Sequence, residues 1–364
     1  MKIIDRYILG KLFATLGFML VFLSVVVVIV DVQQKSPRIE SNGFKISYFL
    51  LNYYPYWALY LIMTFMSILV FISVILFTSK MANNTEIVSI VSSGVSFHRF
   101  AKPYFLAAII IASFALGLNH FILPWANRQK LKLEPYTMNS TDREKILGDV
   151  KIATNLSKNE YIFVNNYNRK KNEGNDLVYQ KFDESRKLKK QIIANEIRWD
   201  EKKKLFVLCF YLEKNILPNG TEKLSNGDTL KINFGSPPQE IFPSEVLGQS
   251  NNTIELLSFI KQQKIKGNGN LNAFYNELYQ RTSMPISIII LTALALSLSS
   301  EKKRGGIGTN IAIGIALAFV FVFSFEALKV VSENHVLSPF ICMWLPNFIF
   351  APIALYLYYK RAVQ

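Results

Sequence analysis

Residues 57–78 read WALYLIMTFMSILVFISVILFT, 22 positions without one charge. A hydrocarbon core about 30 Å thick takes about 20 apolar residues in an α-helix, so this stretch is predicted to cross a membrane. Uncharged or nearly uncharged runs of the same kind lie near 12–30, 104–123, 283–300, 307–331 and 337–359, the run 283–300 being short and 307–331 carrying Glu326. The chain is therefore expected to be an α-helical membrane protein with six spans. Its composition agrees: 51% of the 364 residues are hydrophobic, high for a chain with 18% charged residues.

The first run follows Lys2, Arg6 and Lys11 in the manner of a secretory signal, but its apolar core is too long and no small-residue cleavage site follows. It is expected to stay as a span. Six spans put both termini on one side, and basic residues in short loops choose that side. Lys2, Arg6, Lys11, Lys80, Arg99, Lys102, Lys302, Lys303, Arg304, Lys360 and Arg361 all fall together, which makes it the cytoplasm. Lys35, Arg38 and Lys45 are a counter-signal in the first outer loop.

Between the third and fourth runs the composition changes. EYIFVNNYN (160–168), LVYQKF (177–182), EIRWD (196–200) and KLFVLCFYLEKN (204–215) are β-prone runs separated by Asn, Gly, Asp and Lys turns. They predict an extracytoplasmic β-domain inserted between spans three and four, either a sandwich or an open jelly roll. Residues 251–285 then read as two short helices returning to the bilayer. The resulting division is 1–125 for spans one to three, 126–280 for the periplasmic β-domain with its connecting helices, and 281–364 for spans four to six. Cys209 and Cys342 fall in different parts of this layout and are expected to be free, buried thiols.

No catalytic constellation is visible. His98, His120 and His335 have no metal-ligand spacing, and neither a GxxxxGK[ST] loop nor a GxSxG elbow occurs. EKKRGGIGTN (301–310) reads as a basic turn after a span. The chain is thus expected to be no enzyme, with no metal and no cofactor of its own. The net charge of +15 is accounted for by basic residues beside spans, so nucleic acid is not an expected partner.

The connector NNTEIVSIVSSGVS (83–96) joins two spans on the cytoplasmic side. On a helix, Ile87, Ile90, Val91 and Gly94 share one face, while Thr85, Ser89, Ser92 and Ser96 form another. Spacing allows two readings. In one, Asn83 caps a short interfacial helix and Glu86 closes a capping box. In the other, the segment is a coupling helix that docks into a groove on a separate motor protein, Glu86 supplying a charged contact.

IIDRYILGKLFATL (3–16), DVQQK (31–35), TEIVSIVSSGVSF (85–97), LPWANRQ (123–129) and LYQRTSMPISIIILTALALSLSS (278–300), in this order, resemble the lipopolysaccharide-export permeases LptF and LptG. The opening and the DVQQK segment look more like LptG. The resemblance implies that two homologous half-transporters pair and bind a cytoplasmic ABC ATPase dimer through the connector between spans two and three. ATP and Mg are then used by that partner. Lipopolysaccharide leaves the inner membrane and passes, by way of the β-domains, to a periplasmic bridge protein. Glu86 matches the acidic residue of the family's coupling helix, and Asp5, Arg6 and Tyr7 match its amphipathic start. The apolar run VVVVIV (25–30) lacks the deeper lysine of some members.

Spans one and five of both partners are then expected to line a cavity, apolar in its walls and basic above. Lys35, Arg38, Arg128 and Lys130 are candidate phosphate contacts by charge and position. Glu326, costly in an apolar span, is a candidate gate pair with Lys329. The alternatives are an ion-coupled secondary transporter, with Glu326 as proton carrier, and a non-transporting scaffold whose β-domain binds a periplasmic partner.

Overall fold

The computed structural model describes residues 3–138, 149–169, 171–217, 220–242, 246–268, 271–301 and 306–363. Lys2, Lys302, Lys303 and Arg304, which the orientation argument counts, lie outside them. Among the described residues six helices are long and apolar enough to cross a membrane. A separate six-stranded antiparallel sheet lies in sequence between the third and the fourth.

Helix α1 (Ile3–Ser41) is far longer than its apolar run, 39 residues or about 58 Å at 1.5 Å per residue. Only one stripe of it, Ile8, Leu12 and Leu16 at four-residue spacing, is buried in the main core. Phe18, Phe22, Val25, Ile29 and Val30 are exposed. After a short helix α2 (Ile46–Asn52), helix α3 (Tyr54–Asn83) starts with a proline in its first turn, where no backbone N–H is needed. The connector forms helix α4 (Glu86–Ser92), and α5 (Phe97–Gly117) begins at Ser96, whose side chain caps the Arg99 N–H. Helix α5 continues through one π-turn (Leu118–Ile122) into α6 (Leu123–Leu133).

The sheet has strands β1 (Asp149–Ser157), β2 (Glu160–Asn168), β3 (Glu173–Phe182), β4 (Leu188–Asp200), β5 (Leu205–Ile216) and β6 (Glu222–Ile232). Their order is sequential, β1 to β6, each pair antiparallel. The described strands therefore make a meander with none of the crossovers of a jelly roll. Aspartates set two of its turns: Asp183 accepts from the Ser185 and Lys187 amides, and Asp200 from those of Lys202 and Lys203. Alternation buries one face, with Ile162, Val164, Leu177, Ile192, Ile197, Phe206 and Leu208 closing over Ile241 and Phe242. Gly174 is required there, since a Cβ would come within 2.7 Å of Val164 Cγ1. Strand β6 is an exposed edge.

The return path holds α7 (Pro238–Ile241), α8 (Val246–Ser250) and α9 (Thr253–Ile265), the last started by a true capping box between Asn252 and Glu255. The second of the two short helices expected here is instead the beginning of α10 (Asn272–Ser299), which runs unbroken into span four. This span is the most buried of the six. Small residues on it permit close approach of its neighbours, as at Ser287, whose hydroxyl meets that of Ser67 on α3 at 2.8 Å. Helices α11 (Gly306–Glu333) and α12 (Pro339–Val363) complete the bundle. Cys209 and Cys342 are free as expected, but only Cys342 is buried.

Candidate coupling and substrate sites

Helix α4 begins differently from the capping-box reading. Its N-cap is Thr85, in the left-handed region at φ 64°, and no side chain caps the helix. Glu86 is the first helical residue and its carboxylate has other partners: Tyr7 Oη donates to Oε2 at 3.1 Å and Asn84 Nδ2 donates to Oε1 at 3.1 Å. Two residues before Tyr7, Asp5 receives both arms of the Arg99 guanidinium, Nη1 to Oδ1 at 2.7 Å and Nη2 to Oδ2 at 2.9 Å. The first two turns of α1 are thus fastened to both sides of the connector. His98 Nδ1 lies 2.9 Å from Tyr358 Oη, which adds α12 to the same end of the bundle.

The apolar residues of α4 divide. Ile87 is buried and Ile90 packs on the main core, whereas Val88 and Val91 are exposed. Gly94 lies beyond the helix at φ +87°. The face predicted to hold Ile87, Ile90, Val91 and Gly94 together therefore does not exist as one docking surface, because α4 ends after seven residues and its inner side is spent on the bundle. Val88, unremarked in the sequence, stands outward beside Val91.

At the opposite end of α1, Lys35 and Arg38 lie within the helix rather than in a loop. Lys35 Nζ is 2.9 Å from Asp31 Oδ1, and Asp31 Oδ2 also accepts from the Tyr54 hydroxyl at 3.1 Å. The same ammonium stands over the rings of Trp57 and Tyr53, at 5.3 and 5.8 Å from their centroids. Lys130 is buried, 4.1 Å from the Tyr60 ring centroid and 3.6 Å from Glu134. Lys35 and Lys130 thereby share one aromatic edge at the start of α3, each with a carboxylate of its own. Arg128 is elsewhere, donating to the Ser250 carbonyl at 2.7 Å and to Glu255. Arg38 is half-buried, and its guanidinium enters no ion pair among the described residues.

Glu326 and Lys329 do not form the expected pair: both line a cavity of about 60 Å³, but no ion pair joins them. The cation that organises this region is Arg281, which sequence reasoning passed over. It is buried, with Nε on Glu277 at 3.0 Å and the other nitrogens on Thr253 Oγ1, the Gly248 carbonyl and the Asn251 carbonyl at 3.1, 2.9 and 2.8 Å. Thr253 also meets His120 Nδ1 at 2.7 Å, in the π-turn of the third span. Four polar partners around one arginine tie spans three and four to the chain returning from the sheet. A lone Arg within QRTSMP (280–285), just ahead of an apolar run, was the available signal.

Six helices long and apolar enough to cross a membrane, a polar cavity lined from spans two to five, an inserted sheet and a short connector helix clamped to α1 define a multi-pass membrane protein. The family model for the lipopolysaccharide export system permease LptF/LptG matches residues 6–360. The chain belongs to that family and is a multi-pass inner-membrane subunit of lipopolysaccharide export. No curated protein matches it.

Proposed function

We propose that the chain is one half of an ATP-driven exporter, paired with a homologous permease and powered by a cytoplasmic ABC ATPase dimer that binds α4 and uses ATP and Mg. Both termini and α4 face the cytoplasm, and the sheet faces the periplasm. Lipopolysaccharide is drawn from the inner membrane into the space between the partners and passed along the sheet to a periplasmic bridge protein, for which β6, the last strand in the order among the described residues, offers an edge.

The observation that carries this reading is the clamp at the start of α1. Tyr7 to Glu86 and Asp5 to Arg99 make the connector and α1 one mechanical unit. A push on α4 is thereby delivered to the helix whose apolar face, from Phe18 to Val30, is left uncovered for a partner and a lipid. Val88 and Val91 are the apolar contacts for the ATPase, with Glu86 behind them. On the outer side, Arg38 is the cation best disposed toward a lipid phosphate, Lys35 and Lys130 shaping the aromatic wall beside it. Affinity purification of the tagged chain tests the assembly: an ATPase and a second permease should copurify in a fixed ratio, and recovery of the chain alone from gently solubilised membranes would reject it.

A further inference from the structure

A cleft of about 550 Å³ opens between the first half of α1 and the last turns of α3, within the range of about 300–1,000 Å³ typical of small-molecule sites. Its walls are apolar, with Ala14 and Phe18 on α1 facing Leu76 and Met81 on α3. Its mouth holds two ammonium groups, Lys11 and Lys80, both exposed and neither in an ion pair among the described residues. The Glu86 carboxylate closes the same end, so the ionised groups of the mouth sum to one positive charge. An apolar slot running along the bundle beneath a singly positive mouth matches a molecule with one phosphodiester anion and an acyl chain.

We propose that this cleft binds an anionic glycerophospholipid, its phosphate between Lys11 and Lys80 and one acyl chain along Ala14, Phe18 and Leu76. Basic pockets between spans at the cytoplasmic face take anionic headgroups in this manner. Assignment to the cytoplasmic leaflet rests on the orientation proposed above; the binding itself does not. The cleft shares Tyr7 and Glu86 with the clamp. A lipid seated there packs against the clamp between α1 and the connector, which makes membrane composition an input to coupling. The site is distinct from the outer-end cations considered for the exported substrate.

The test is native mass spectrometry of the full chain, purified with whatever subunits accompany it, delipidated and titrated with phosphatidylglycerol or phosphatidylethanolamine. One phosphatidylglycerol should be retained in preference to phosphatidylethanolamine. Lys11→Ala with Lys80→Ala should weaken retention by roughly 10- to 30-fold, from about 1 kcal/mol per basic residue. Ala14→Trp, which fills the slot and leaves the charge unchanged, should weaken it comparably. Equal retention of the two lipids, unaltered retention in both variants, or displacement by soluble glycerol phosphate would overturn the proposal. Copurification of the ATPase with the parent chain is scored in the same preparations: a parent that brings down the ATPase but shows no preference for phosphatidylglycerol rejects this site alone, and a parent that prefers phosphatidylglycerol but brings down no ATPase rejects the docking reading alone.

Discussion

The Tyr7 hydroxyl donates to Glu86 across 79 positions of sequence, at 3.1 Å, so that the first turns of α1 and the first residue of α4 share one hydrogen bond. Asn84 holds the other carboxylate oxygen. A residue expected either to cap its own helix or to face a partner thus has a third role within the chain, holding the first span against the connector.

Tyr7→Phe removes that hydrogen bond and keeps the ring that packs edge-on against Phe77. A hydrogen bond to a charged group contributes about 1.5–3 kcal/mol, discounted here because the contact is exposed. The expected result is a complex that still assembles but whose lipid-stimulated ATP turnover falls several-fold. Unchanged turnover in Tyr7→Phe beside a defective Glu86→Gln would assign Glu86 wholly to an outside partner.

Asp5 and Arg99 make a two-pronged pair, a geometry that lysine does not reproduce. Arg99→Lys and Asp5→Asn should each lower coupling, and the exchanged pair Asp5→Arg with Arg99→Asp should recover part of it. A double-mutant cycle on ATP turnover measures the interaction; strict additivity of the single losses would contradict the clamp.

Arg281→Met leaves the Gly248 and Asn251 carbonyls and the Glu277 carboxylate without their donor. Breaking a buried charged pair costs on the order of 3–5 kcal/mol, so thermal unfolding in detergent should show the largest loss among the polar substitutions discussed. Arg281→Lys should recover only part. A melting temperature within a degree or two of the parent would contradict the role given to Arg281.

On the outer side, Arg38→Glu should weaken photocrosslinking to lipopolysaccharide more than Lys35→Gln does. Lys35 is already neutralised by Asp31 and held over Trp57, so its removal should chiefly loosen the aromatic cluster. Greater loss of crosslinking from Lys35→Gln at equal stability would reverse this order.

In the sheet, hydrogen bonds from Lys190 and then Asn215 hold the Glu213 carboxyl below its ordinary pKa of 4.5. A lowered folded-state pKa means the stabilisation is fully present above about pH 4.5 and is lost as pH falls through the lower folded value. The pair is partly solvated, so its worth stays under about 1 kcal/mol. The protection of β4 and β5 amides, taken as the exchange rate relative to the intrinsic rate at each pH, should fall between pH 5 and 3 in the parent, and by less in Glu213→Gln; identical profiles would remove Glu213 as the source.

Hydropathy made the six spans legible, because lipid leaves the backbone few alternatives to a helix. Alternation and turn residues marked the sheet, though not its meander, since strand pairing order is a matter of which edges meet. Helix ends were less visible. The polar tail of α1 after Val30 carries no apolar signal, so Lys35 and Arg38 were placed in a loop although the helix reaches Ser41. Charge alone singled out Lys35, Arg128 and Lys130, but nearby carboxylates, carbonyls and aromatic rings already engage each of them. Spacing left Glu86 between a capping box and a docking contact, and the resemblance favoured the second. Its partner Tyr7 was quoted in the same comparison, yet nothing in linear spacing joins residues so far apart.

The central claim is that α4 docks on a cytoplasmic ATPase and passes its motion to α1. A photocrosslinking amino acid at position 88, whose native Val88 points outward from α4, tests it most directly in intact cells. The account predicts a covalent adduct with the ATPase that is lost when Glu86→Lys is added, and no such adduct from position 87, whose Ile87 is buried in the bundle. An adduct with a periplasmic protein, or none at all from position 88 while the ATPase still copurifies, would contradict it.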